Sequence, residues 1–321
     1  MKQTSLSQAA GRVTRARLGL GRRILRNWQI YVFLLLPLAY LFLFAYYPMT
    51  GLQLAFKKFD MKLGIWESPW VGFDQFAKFF RSPYFKIIIS NTLKISLYSL
   101  LAGFPFPIIF ALLLNTVRSA RFRKTVQTIT YLPHFISVVV LVGMLTQLLN
   151  PVTGIYGSIG MRLLGAYPPD ILGQASAFIH LYVWSGVWQG FGWGSIIYMA
   201  ALTSVSAELH EAAEIDGASR FQRLRYIDFP SILPTATIML IMNSGQIMSV
   251  GYEKVFLMQN QLNLSESEVI STYVYKIGIG SSSIPDYSYG TAIGLFNSVI
   301  NLLLLMLINQ ISRRLSETSL W

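Results

Sequence analysis

Residues 203–230 read TSVSAELHEAAEIDGASRFQRLRYIDFP, a polar stretch set between two long apolar ones. Ser206 can cap a helix whose first turns carry Glu208 and Glu211, and acids suit the positive end of a helix dipole. Residues 207–216 are mostly good helix formers. Gly217 fits the left-handed position that follows a helix end. Ser219 can cap a second short helix through Phe221 and Leu224, and Pro230 and Pro234 open the next apolar stretch, where first-turn proline is tolerated. The spacing predicts a bent helix–Gly–helix element. Its small face, Ala212, Ala213 and Ala218, permits close approach by another surface, and such a helix can lie in a partner's groove. A solvated amphipathic linker is the other reading of these residues.

Outward from this element the chain is apolar. A membrane-crossing helix needs about 20 mostly apolar residues. Six stretches qualify: 29–47, 87–114, 126–149, 177–202, 231–250 and 290–311. The first holds YVFLLLPLAYLFLFAYY without a charge, and its length excludes a cleaved signal peptide. The fourth is the least apolar, mixing Trp, Gly, Ser and Gln with aliphatics. In the second, Gly103, Pro105 and Pro107 predict a kink. The whole chain of 321 residues is 53% hydrophobic and 12% charged, against roughly 25% charged in a soluble domain. The fold class expected is all-α integral membrane. It comprises a basic tail at 1–28, a six-helix domain at 29–311 that includes the 203–230 loop, and a tail at 312–321.

Basic residues orient the spans. Residues 1–28 hold seven Lys/Arg and no acid, loop 115–125 holds four, and the last tail begins Arg313, Arg314. These segments are expected inside, giving an N-in, C-in chain with six crossings in the cytoplasmic membrane. Loop 50–86 dissents, with six basic and three acidic residues on the outer side. The net charge of +12 is thus read as topology and not as a nucleic-acid footprint. The basic tail also suits anionic lipid.

Chemistry within the chain is scarce. There is no Cys and only three His, so thiol catalysis is excluded and a metal site is not expected. No acid lies in any of the six spans, which argues against ion-coupled secondary transport and against a membrane enzyme. No GxxxxGK[ST] occurs, so ATP phosphates have no cradle here. The run Gly190-Phe191-Gly192-Trp193-Gly194 lies inside a span and reads as close helix packing.

Polar groups at membrane depth usually face a cavity or another helix. His134, Gln189, Asn243, Gln246, Asn297 and Asn301 fall near one level, and Trp184, Trp188 and Trp193 share a span with Gln189. Aromatic faces and amides bind sugars, so the set suits a sugar path; Asn and Gln equally serve as interhelical glue. Trp188 and Gln189 are adjacent and cannot both face a cavity centre. His134 follows Pro133 and can instead satisfy freed backbone carbonyls. Lys94, Lys254 and Lys276 can attract a uronate or, the reading favoured here, meet lipid phosphate or pair with Glu253, Glu266 or Glu268.

Glu211-Ala212-Ala213, then Asp216-Gly217-Ala218 two residues on, then Ile227 and Pro230, resembles the EAA loop of binding-protein-dependent ABC importer permeases. Leu224 stands where the family usually has Phe, and Phe229 where it has Leu; both remain apolar. Asn91-Thr92-Leu93, residues 127–135 (QTITYLPHF), Thr272-Tyr273-Val274-Tyr275 and the ending 317–321 resemble the large permease subunit of the carbohydrate group, in particular the LplB-like subgroup associated with aldouronate and alginate oligosaccharides. The resemblance implies a type I importer permease with a MetI-like core in a bacterial inner membrane. It implies a second permease subunit, a dimer of ATPase subunits that bind the ATP and Mg, and an extracytoplasmic solute-binding protein that delivers the oligosaccharide. The coupling residues would be Glu208, Glu211, Ala212, Ala213, Asp216, Gly217 and Ala218. The substrate path would hold His134, Trp188, Gln189, Gly190, Trp193, Asn243 and Gln246, with Gln189, Gly190 and Asn243 best matched by family position. The chain lacks the large periplasmic insertion of the maltose-type subunit. Import of amino acids or peptides is the runner-up within this class.

Overall fold

The computed structural model describes residues 27–280 and 285–316. The basic stretch 1–26 and the ending 317–321 lie outside the described residues. Among the described residues every regular element is helical, and the extended pairings are two isolated bridges, Lys57 with Trp70 and Asp60 with Gly64.

The chain divides after Leu52. The first unit carries helix α1, Trp28–Leu41, which runs on through a wide turn at Phe42–Tyr46 into a tight one, Tyr47–Phe56, whose last residues belong to the second unit. This 29-residue run is long and apolar enough to cross a membrane.

The second unit begins at Gln53. Helices α2 (Tyr84–Gly103) and α3 (Pro105–Asn115) form one 32-residue run interrupted at Phe104. Phe104 keeps helical angles and donates to the Leu100 carbonyl at 3.0 Å. Pro105 and Pro107 have no N–H to give to the turn before them, yet the run continues as one candidate span.

The third span departs from expectation. It starts earlier, as α4 (Ala120–Tyr131) capped by Ser119, and then breaks. A tight turn at Leu132–Phe135 leads to α5 (Val138–Leu148), bent by 97° from the preceding helix. Pro133 interrupts the ladder, and Ser137 restarts it by accepting from the Val140 N–H at 3.3 Å. Stretch 126–149 is therefore a broken pair and not one straight helix.

Helix α6, Ala175–Thr203, has 29 residues and covers the fourth expected stretch, but it is not among the described helices apolar enough to cross a membrane by length and composition. Gly192 lies where an added Cβ would sit 2.2 Å from the Thr130 carbonyl oxygen, so this glycine seats α4 against α6. The fifth span is shorter than expected. Helix α7, Phe229–Ser244, has 16 residues, about 24 Å of rise. That is less than the roughly 30 Å hydrocarbon core. The chain then runs as turns through 245–251 before the short helix α8, Tyr252–Met258. Helix α9, Tyr287–Ser316, closes the unit.

Three apolar clusters hold these helices. One joins Ile95, Phe178 and Val255; a second joins Ile108, Ala111, Tyr198 and Ile232; a third joins Phe79, Ile88, Tyr289 and Ile293.

Candidate functional site: a coupling element and a divided cavity

The 203–230 loop forms the predicted element. Ser206 Oγ accepts from the Glu208 N–H at 3.2 Å and starts a helix over Ala207–Ile215. Gly217 ends it at φ +79°. The Ala218 N–H reaches the Ala213 carbonyl at 2.8 Å and the Gly217 N–H reaches Glu214 at 3.1 Å. These two bonds are the paired closure of a glycine-ended helix. Ser219 and Gln222 then cap each other's backbone at 3.3 and 2.7 Å.

One difference from expectation matters mechanically. The second short helix does not end before the span. Arg220–Arg223 passes through a wide turn at Leu224–Asp228 directly into α7. Residues 220–244 are one rod.

Two contacts clamp the coupling helix to this rod, and both involve residues that the motif does not contain. Arg223 donates to the Glu214 carboxylate at 2.8 Å. Asp228, only 3% exposed, receives the Asn115 side-chain amide at 3.3 Å, and His210 Nε2 lies 3.2 Å from the same oxygen. A buried carboxylate needs such partners. Three segments meet there: the end of α3, the coupling helix and the base of α7. The sequence signal was a lone acid at the foot of an apolar span. On the outward side, Ile215 is 86% and Phe221 69% exposed.

The interior holds a cavity of about 460 Å³ where α2–α3, α6, α7 and the 245–251 turns approach one another. Asn243, Gln246, Ser96 and Ser99 give it polar groups. A second cavity, about 380 Å³, shares Ser99, Gly103, Pro107 and Tyr182 with the first and adds Gln189, Gly190 and Lys254. The expected Gln189, Gly190, Asn243 and Gln246 therefore gather on one divided cavity. Gln189 also acts as glue, since its amide donates to the Ile136 carbonyl at 2.7 Å, inside the break of the third span.

His134, Trp188 and Trp193 do not join this group. His134 stacks flat on Trp193 at 4.7 Å beside the break. Trp188 points with Trp184, one helical turn away, into apolar grooves bounded by Phe106, Phe110 and Leu141. The reason is angular: four residues return to the same face of a helix and one residue does not. Asn301 takes the packing role, accepting from the Met248 N–H at 2.9 Å and donating to Ser249 at 2.8 Å. Lys94 and Lys276 pair with Glu266 and Glu268 at 3.2 and 2.5 Å. Lys254 differs from both: it is buried, and its ammonium donates to the Tyr182 carbonyl at 2.8 Å.

A family model described as the binding-protein-dependent transport system inner membrane component matches residues 103–317, which include the coupling element and most of the cavity wall. The chain belongs to this family. This permease is 39% identical to Protein LplB of Bacillus subtilis (strain 168), over 92% of each chain. It is 36% identical to the polygalacturonan/rhamnogalacturonan transport system permease protein YteP of the same organism, over 93% of this chain and 92% of that one. A solved bacterial alginate ABC transporter, in complex with an alginate pentasaccharide-bound periplasmic protein, holds a chain that superposes on this permease with a TM-score of 0.84. That chain is 38% identical, and the match covers 94% of this permease and 99% of it.

Proposed function

We propose that this permease is one of two membrane subunits of an ATP-driven importer. It moves an acidic oligosaccharide of the alginate or aldouronate type from an extracytoplasmic binding protein to the cytoplasm by alternating access. The observation that carries this reading is the divided polar cavity, with Gln189, Asn243 and Gln246 on its walls and irregular backbone at 245–251 beside it. Non-helical backbone at membrane depth is tolerated where it is buried in protein or lines a water-filled path. The names of the similar proteins above support an acidic sugar as cargo.

The coupling element supplies the motion. ATP and Mg belong to a partner ATPase dimer, and one ATPase subunit receives the exposed Ile215 and Phe221 face. A push on Ala207–Ile215 passes through the Gly217 turn and the Arg223–Glu214 contact into the 220–244 rod. It passes also through His210 and Asp228 to Asn115. Both α7 and α3 line the larger cavity or lead to it, so their bases and the cavity walls move together. Two-sided access around a central site follows from such rocking. In this reading the chain crosses the inner membrane six times, with both ends in the cytoplasm. The bent third pair and the short α7 each count as one crossing.

The test is ATPase stimulation of the reconstituted importer, with its cognate binding protein, by a panel of oligosaccharides. Stimulation by uronate oligomers is expected. Stimulation by peptides or amino acids alone would replace the substrate reading with the runner-up.

A further inference from the structure

Lys254 stands apart from the outer-side lysines whose ammonium partners the structure shows. Lys78, Lys94 and Lys276 each face a carboxylate, and Lys57 donates to the Ile65 and Trp66 carbonyls. Lys254 is 9% exposed, and among the described residues no carboxylate pairs with it. Its ammonium has three N–H donors. One is on the Tyr182 carbonyl at 2.8 Å, and the charge lies 4.7 Å from the Tyr182 ring centre. Among the described residues the remaining donors have no acceptor.

The surroundings keep that end of the side chain open. Gly186 has no side chain to crowd it; an added Cβ would lie 3.3 Å from the Lys254 nitrogen. One turn further along α6, Gly190 has open space where a Cβ would be. Both glycines, Gln189 and Lys254 line the smaller cavity. Its volume falls within the roughly 300–1,000 Å³ of ordinary ligand sites. A buried ammonium without a counter-ion is costly and marks a functional position when it faces a cavity.

We propose that Lys254 reads a carboxylate of the passing oligosaccharide and so selects acidic over neutral sugar in the membrane path. Gln189 supplies a neighbouring amide oxygen for a hydroxyl, while Tyr182 holds the lysine stem in place. This inference rests on the acidic-oligosaccharide reading above and names the group that enforces it.

The experiment compares uptake of a uronate oligomer with uptake of the same oligomer after its carboxyls are reduced to primary alcohols. Reconstituted importer with binding protein is used, as wild type, Lys254→Gln and Lys254→Arg. Saturating binding protein loaded with each sugar removes selection at that earlier step. Wild type is expected to favour the acid. Lys254→Gln should lower the acid-to-neutral ratio about tenfold or more, as truncating one side of a desolvated charge pair does. Its uptake of the reduced oligomer should persist, and Lys254→Arg should retain most of the preference. An unchanged ratio in Lys254→Gln overturns the role of Lys254 and leaves the substrate class standing. Parallel loss of both sugars also overturns it, since Lys254 would then be an anchor for Tyr182. Failure of wild type to move the uronate oligomer overturns the substrate class and this inference together.

Discussion

The coupling element and the backbone around Gln189 handle interrupted helices in different ways. At 206–223 each helix end is closed from within a few residues: Ser206 by its own hydroxyl, Gly217 by its left-handed turn, Ser219 by Gln222. In the interior Ser137 caps one helix locally, but other closures come from far along the chain. The Ile136 carbonyl is met by Gln189, the Met248 N–H by Asn301, and the Val250 carbonyl by Ser271. Water can serve a frayed helix end outside a bilayer, so local caps at such an end sharpen a shape. Within a bilayer no such substitute exists, and remote side chains become necessary. The first region is a stiff part that can be pushed. The second is held by bonds between helices, and those bonds must accommodate any relative motion.

The largest expected effect would test the stiffness of the first region. Proline holds φ near −65°, and Gly217 sits at +79°. Gly217→Pro should abolish uptake while the chain still inserts in the membrane. Glu211→Lys, on the exposed face of the same helix, should do likewise. Normal uptake in both variants, measured with labelled oligosaccharide, would remove the element from coupling. Next in size is the Asp228 junction. Asp228→Ala should lower sugar moved per ATP hydrolysed about tenfold, the scale of a lost charged hydrogen bond. Adding His210→Ala should change little more, because both act on one contact. Additive losses in the double variant would show that the two residues act separately.

The cavity residues come third. Gln189→Ala and Asn243→Ala should each weaken uptake several-fold with less effect on basal ATP hydrolysis. If transport and hydrolysis fell in parallel, both would be packing residues. Smallest is Asn301→Ala, which should cost about 1–2 kcal/mol of stability through the unpaired Met248 N–H. The intact fraction should transport normally; a thermal melt in detergent and an uptake assay read the two quantities separately.

This ordering follows what was legible. The helix, the left-handed Gly217 and the second cap at Ser219 were all readable, because each depends on residues within one or two turns. The clustering of Gln189, Asn243 and Gln246 was half readable: depth along a span is countable, but the facing direction is not. Trp188 lost to Gln189 by a single residue of helical rotation. The break at 132–137 had its cause in Pro133, yet a proline permits either a kink or a right-angle turn, and the neighbours decide. The early end of α7 at Ser244 had no local signal beyond Gly245, since the bonds that allow it come from Asn301 and Ser271. Lys254 was expected to resemble Lys94 and Lys276. Only the fold separates it, by bringing Gly186 and Tyr182 to its end.

The wide turn at Leu224–Asp228 carries one residue more than regular helix would, without turning the helices on its two sides relative to each other. Each residue of a regular α-helix advances the direction of a side chain by about 100°, and the wide turn absorbs one such step. Removing Arg225 or Tyr226 would let the rod close into regular helix with its two ends facing nearly as before. Removing one residue from the regular helix of Phe229–Ser244 would instead swing one side of the cut by about a quarter turn, and Asp228 would lose its register with Asn115 or the cavity wall would lose its own. The wide turn therefore works as slack in the length of the rod, and a deletion within it should be far better tolerated than one in the helix that follows.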